Sequence, residues 1–176
     1  MLIPNLVLIG FMGTGKSAVG HRLAPQLQLE FIDMDDLIES RQGLPISQIF
    51  AKQGELVFRV LERNLVRELA PPQGRVIATG GGVVLDPENV RDFQAGGLVV
   101  CLKADPEIIF QRVSSNRRRP LLDTPNPRQR IVDLLAQRRP FYEAIPVSID
   151  TSSGSLSQIV SEIAGLYEVF RNSFAG

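Results

Sequence analysis

The sequence predicts an α/β fold, a single domain over residues 1–176 built on one five-stranded parallel sheet with helices on both faces. Three observations carry that expectation. Short apolar runs rich in β-branched residues alternate along the chain with longer segments of helical period. Several runs end in glycines or carboxylates, at Gly10, at Asp33 and at Gly80, Gly81 and Gly82, as strands do when their carboxyl ends face a ligand. The first run leads through Gly10, Phe11, Met12, Gly13, Thr14, Gly15, Lys16 and Ser17 into a helix, and this spacing of Gly, four residues, then Gly-Lys-Ser is a phosphate-cradling pattern.

Residues 6–9 read as the first buried strand and 17–27 as the helix whose positive end meets the anion. Gly10, Gly13 and Gly15 let the loop turn with its N–H groups inward, where a Cβ would obstruct either the turn or the anion. Lys16 brings a point charge to the β- and γ-phosphates, and the Ser17 hydroxyl takes one place on a Mg²⁺ ion that keeps most of its waters. Residues 29–33 form a second strand ending in Asp33, Met34, Asp35 and Asp36. Asp33 is placed to join the Mg²⁺ shell and Asp35 to face an acceptor hydroxyl, whereas Asp36 reads as a charge at a helix start.

Helices follow at 37–43, at 46–53 after Pro45, and at 55–69. On the longest, Phe58, Leu61, Leu65 and Leu69 share a buried face. Arg59, Arg63 and Arg67 share another, expected to be mostly solvated. Arg59 is the exception, because it lies near the helix start and so near the sheet edge carrying Asp33 and Asp35. Residues 33–62 are therefore the expected acceptor-binding segment. A third strand at 76–78 ends in Thr79, Gly80, Gly81 and Gly82, whose bare N–H groups suit a small oxygen-rich ligand. A helix at 87–94, a strand at 98–102 and a helix at 105–113 complete the middle of the chain. The sequence then turns basic, with Arg112, Arg117, Arg118 and Arg119 followed by Pro120, Leu121 and Leu122. Residues 112–125 hold too many breakers for regular structure and read as a mobile lid that closes arginines over phosphates. A helix at 127–142, a strand at 147–150 and a helix at 155–170 close the chain. His21, the only histidine, reads as a helix-surface residue, which leaves no histidine for general base work.

The composition narrows the partners. Lysine plus arginine equals aspartate plus glutamate at 19 each, so no overall field draws the chain to nucleic acid or an anionic membrane. The basic stretch has no interleaved aromatic residue for base stacking. No apolar run approaches the roughly 18 residues of a membrane span, and the amino terminus lacks a basic region followed by a long apolar one. The lone Cys101 sits within an apolar strand and reads as a small core residue, which fits a reducing cytoplasm.

Taken together, these motifs resemble the shikimate kinases, small P-loop kinases related to nucleoside monophosphate kinases. The resemblance runs end to end. It rests on residues 10–17, on Phe31, Ile32, Asp33, Met34 and Asp35, and on Gly54 and Glu55 followed by Phe58, Arg59 and Glu62. It rests also on Gly80, Gly81 and Gly82, on Arg119, Pro120, Leu121 and Leu122, and on Arg138 four residues before Tyr142. The resemblance implies a P-loop kinase fold and ATP-dependent phosphorylation of the 3-hydroxyl of shikimate, a step toward chorismate and the aromatic amino acids. It implies a cytoplasmic monomer acting on shikimate and ATP with Mg²⁺, and no nucleic-acid or membrane partner. In that picture Gly13, Thr14, Gly15, Lys16, Ser17, Ala18, Arg112 and Arg119 bind nucleotide, with Arg112 stacking on adenine. Ser17 and Asp33 serve the metal, Lys16, Asp35 and Arg119 are catalytic, and Asp35, Arg59, Gly80, Gly81, Gly82 and Arg138 bind the acceptor. Two departures stand out: Ala18 replaces the family's usual Thr, and residues 149–154 lack the Gln or Lys before Pro often found in the adenine loop. The choice between ATP and GTP stays open on that account. A gluconate-type kinase and a catalytically silent nucleotide-binding module are the alternative readings, while the absence of an Asn-Lys-x-Asp run speaks against a regulatory GTPase.

Overall fold

In the computed structural model, which describes residues 2–114 and 124–174, every residue of β1 (Asn5–Gly10) is buried. A strand covered on both faces must be apolar throughout, and Leu6, Val7, Leu8 and Ile9 are all fully enclosed. Four further strands lie parallel to it: β2 (Glu30–Asp33), β3 (Arg75–Ala78), β4 (Gly97–Lys103) and β5 (Val147–Asp150). Their order is β2-β3-β1-β4-β5, with Leu6 facing Val76 on one side and Leu98 on the other.

The period of two along β1 divides the core. Leu6 and Leu8 join Val76, Val100 and Ile149 beneath α1 (Lys16–Leu27) and α8 (Leu156–Phe174). Val7 and Ile9 join Ile77, Val99 and Cys101 on the opposite face. That face is covered by α2 (Met34–Gln42), α3 (Ile46–Gln53), α4 (Glu55–Leu69), α5 (Pro87–Gly96), α6 (Pro106–Ser114) and α7 (Pro127–Glu143). Each enclosed Leu, Ile or Phe contributes about 1.5–3 kcal/mol.

Several local expectations shift by a few residues for visible reasons. The helix expected from residue 37 begins at Met34, directly after β2, because the Asp33 side chain caps it by accepting from the N–H groups of Asp35 and Asp36. Asp36, expected as the helix-start charge, sits in the first turn beside that cap. Asn5 is a polar hub within β1. Its amide donates to the carbonyls of Leu69, Ala70 and Pro71 and accepts from the N–H groups of Gln73 and Arg75, fastening the α4–β3 connection to the central strand. His21 is exposed on α1 as expected, with its ring 4.1 Å from that of Phe31.

Candidate active site

The loop between β1 and α1 has positive φ at Gly10, Gly13 and Gly15. A Cβ on Gly10 would lie 2.3 Å from the Leu102 carbonyl oxygen, so that position requires glycine twice over. Lys16 is buried and curls back over the loop, its Nζ donating to the carbonyls of Gly10 at 2.8 Å and Phe11 at 3.0 Å. The Thr14 hydroxyl donates to the same Phe11 carbonyl. No acidic residue occupies the first turn of α1, which leaves the positive end of the helix to an incoming anion. Ser17 and Ala18 are exposed at that end. Arg112, expected at the start of a lid, belongs instead to the last turn of α6. Its guanidinium donates to the Gly13 carbonyl and to both oxygens of Thr151.

Beside the loop, the Ser17 hydroxyl donates to Asp33 Oδ2 at 2.6 Å, while Asp33 Oδ1 caps α2. The same cap sets Asp35 one residue into the helix. A Cβ on Gly80 would lie 2.9 Å from Asp35 Oδ1 and 3.0 Å from Glu62 Oε1, so the two carboxylates converge on the bare backbone at the end of β3. Glu62 is almost wholly buried. Burial pushes its carboxyl above the usual range, Arg59 opposes the shift, and Asp35 adds to it. One oxygen pairs with Arg59 at 2.9 Å; the other, Oε1, has no hydrogen-bond partner among the described residues.

Arg59 is held by three contacts. Its Nη2 meets Glu55 at 2.9 Å, its Nη1 meets Glu62, and the guanidinium stands 5.4 Å above the Phe58 ring. A Cβ on Gly82 would come within 2.4 Å of Arg59 Nη1, so the missing side chain makes room for the fork. From the other side Arg138 donates to the Gly81 carbonyl at 3.1 Å and lies over the Phe11 ring. Tyr142, one turn further along α7, donates to the same carbonyl at 2.6 Å. Burial pushes its hydroxyl up to about 12, so it stays a donor at neutral pH. A cavity of about 430 Å³ opens beside Arg59, lined by Glu55, Glu62, Gly82, Leu85 and Asn89 among others.

Most sequence-predicted residues therefore meet at one end of the sheet: the phosphate loop with Lys16, Ser17 and Asp33, and next to it Asp35, Arg59, Gly80, Gly81, Gly82 and Arg138. Arg119, with Arg117, Arg118 and the rest of residues 115–123 of the expected 112–125 lid, lies outside the described residues. The expectation that Arg63 sees water is corrected. Only 15% of its side chain is exposed, and it reaches Asp92 at 2.6 Å, Glu88 at 3.3 Å and Asn89 at 3.2 Å, bracing α4 against α5. Tyr142 and Thr151 had no expected role, and Glu62 had none beyond lying at the end of the 33–62 segment. For Tyr142 the available signal was its spacing of four from Arg138, which puts both side chains on one helix face.

The family model described as shikimate kinase matches residues 12–167. The shikimate kinase of Thermodesulfovibrio yellowstonii is 43% identical over 170 residues, covering 97% of this chain and 98% of that protein. That of Desulforudis audaxviator is 51% identical over 159 residues, covering 90% and 84%. Among solved structures, shikimate kinase from Acinetobacter baumannii in complex with shikimate superposes with a TM-score of 0.90 at 38% identity, over 95% of this chain and 94% of that one. A gluconokinase from Sinorhizobium meliloti shares the fold alone, with a TM-score of 0.61 at 20% identity over 98% of this chain and 97% of that one. By sequence over most of its length and by the fold that carries these residues, the chain belongs to the shikimate kinase family.

Proposed function

We propose that the chain transfers the γ-phosphoryl group of ATP to the 3-hydroxyl of shikimate, giving shikimate 3-phosphate and ADP. Beyond family membership, the observation that carries this reading is the junction at Asp33. Its carboxylate touches Ser17 of the phosphate loop and caps the helix that brings Asp35 to Gly80, so the phosphate and acceptor sites meet across one helix start.

Phosphoryl transfer with a loose transition state asks mainly for positioning and charge neutralisation. Lys16 releases the loop carbonyls and follows the β- and γ-phosphates. Asp35 accepts the hydrogen of the attacking hydroxyl, fixes its direction and takes the proton late in the transfer. Arg59 and Arg138 hold the acceptor carboxylate through planar, charge-assisted contacts. Gly80, Gly81 and Gly82 offer backbone where no side chain intrudes. Gly13, Thr14, Gly15 and Ala18 line the nucleotide with Arg112 against its base, and Arg119 neutralises the transferring group. The donors around Ser17 and Asp33 are hard oxygens at an exposed helix start, a set that fits Mg²⁺, which favours oxygen ligands and retained water. Ser17 and Asp33 would hold the ion from the protein side, together with nucleotide oxygens and water. When bound, Mg²⁺ neutralises charge on the β- and γ-phosphates.

Among the described residues no helix is long and apolar enough to cross a membrane. We read the chain as a cytoplasmic monomer acting on small solutes, without nucleic-acid or membrane partners; light scattering on the purified protein checks its mass. Release of ADP across shikimate, quinate, gluconate and nucleoside monophosphates tests the activity. Shikimate-dependent release is expected, and release with gluconate but not shikimate would overturn the assignment.

A further inference from the structure

Thr151 follows β5 directly and is buried, yet the phosphate-loop pattern makes no use of it. Its hydroxyl sits among three groups. Arg112 Nη1 donates to it at 3.1 Å, and the carbonyls of Thr14 and Lys103 lie 2.9 and 3.1 Å away. A threonine hydroxyl has one hydrogen to give. Lys103 already receives the Thr151 backbone N–H at 2.8 Å, so the hydrogen is best placed on the nearer Thr14 carbonyl. The remaining lone pairs accept from Arg112, whose other nitrogen donates to the Thr151 carbonyl at 2.6 Å and which also reaches the Gly13 carbonyl at 3.2 Å.

Two consecutive carbonyls of the phosphate loop are thus held from outside, Gly13 by Arg112 and Thr14 by Thr151. A trans peptide points its C=O and N–H to opposite sides. The Thr14 N–H already turns to the Phe11 carbonyl at 3.3 Å, so the donor that the Thr151 hydroxyl governs is the next one, on Gly15. With the Thr14 carbonyl held by Thr151, the Gly15 N–H points the opposite way, away from Thr151, and successive N–H groups turned to one side can bind an anion. A loop with positive φ at three glycines has much freedom to lose on binding, and holding it in advance removes part of that cost.

We infer that Thr151 is a positioning residue for the phosphate loop: with Arg112 it presets the loop for the nucleotide's phosphates and links the end of β5 to them. The inference rests on the proposed nucleotide-binding reading. Thr151→Val removes the hydroxyl at nearly constant shape; Thr151→Ser keeps it. Calorimetric titration with ADP and with shikimate, together with the KM for each substrate, gives the test. The valine variant should bind ADP about tenfold more weakly, the scale of one lost hydrogen bond, and its KM for ATP should rise in step. Its shikimate parameters should change less than twofold, and serine should restore ADP binding to within about threefold. A valine variant with unchanged ADP affinity, equal losses for both ligands, or serine failing to restore binding would each overturn the inference. Wild-type protein that binds no ADP would overturn the functional reading and the inference with it, an outcome distinct from the other three. If the valine variant does not fold, the serine variant decides alone: a tenfold loss of ADP affinity with the hydroxyl retained defeats the inference.

Discussion

Ser17 donates its hydroxyl to Asp33 across 2.6 Å, tying the first turn after the phosphate loop to the carboxyl end of β2. The two residues expected to serve the metal are therefore already neighbours, and Asp33 does two things at once because its other oxygen caps α2. Asn caps helices about as well as Asp, so Asp33→Asn should spare the helix start while weakening the metal site. The expected outcome is a Mg²⁺ requirement shifted to higher concentration, with part of the lost rate returning there. A Mg²⁺ titration at saturating ATP measures this, and an unshifted midpoint would remove Asp33 from the metal's surroundings.

Asp35 should respond differently. It lies beside Gly80 and shares that corner with buried Glu62, where the proposed function puts the acceptor. Asp35→Asn keeps the shape and removes the charge, and turnover should fall by about 10² or more, the usual scale for a general base. ADP affinity should stay close to wild type. If raising Mg²⁺ rescues the Asp35 variant and not the Asp33 variant, the two roles are reversed.

The strands and most helices were legible because their signals are local: apolar runs, helical periods, and the glycines and carboxylates that end the strands. The glycine-rich turn between β1 and α1 was legible for the same reason, since its pattern is contained in eight consecutive residues. What the sequence hid depends on partners distant in the chain. The four-residue spacing of Arg59, Arg63 and Arg67 defines a helix face, but only packing against α5 turns Arg63 into a bridge to Asp92 and Asn89. Asn5, a polar residue in an otherwise apolar strand, serves carbonyls 64 to 66 residues away. The cap at Asp33 is a geometric outcome as well, because Asp33, Asp35 and Asp36 all suit a helix start by residue type and the end of β2 selects among them.

Arg59 offers a third test. Its fork is braced by Glu55 and Glu62 and accommodated by the bare Gly82, an arrangement that presents a flat guanidinium rather than a point charge. Arg59→Lys should raise the KM for shikimate far more than that for ATP, by the equivalent of about 1.5–3 kcal/mol for a lost contact between charged groups. Gly82→Ala should act in the same direction by displacing the fork. Parallel changes in both Michaelis constants would mean that Arg59 supports the fold and not the acceptor.

The last test uses Cys101, which is fully enclosed in β4 between the layers that cover the sheet. Burial pushes its thiol up from the ordinary 9.0 to about 11, with Lys103 and Lys16 opposing the shift. Between those values the unfolded chain has lost the proton while the folded protein keeps it, so the native state binds more protons and stability falls as pH rises. Below pH 9 the two states are equally protonated at this site and the effect vanishes. Two units correspond to at most about 3 kcal/mol. Tyr142 adds a similar loss at higher pH, since burial, with Cys101 as a lesser cause, holds its hydroxyl near 12; that contribution is therefore shared in its main cause by wild type and Cys101→Ala. Urea unfolding of both proteins at pH 8 and at pH 10.5 isolates the thiol. Wild type should lose more stability than the alanine variant between the two conditions, and alkylation of Cys101 at pH 8 should proceed only as fast as the protein unfolds. Equal losses in the two proteins, with alkylation faster than unfolding, would mean that the thiol reaches solvent from the folded state.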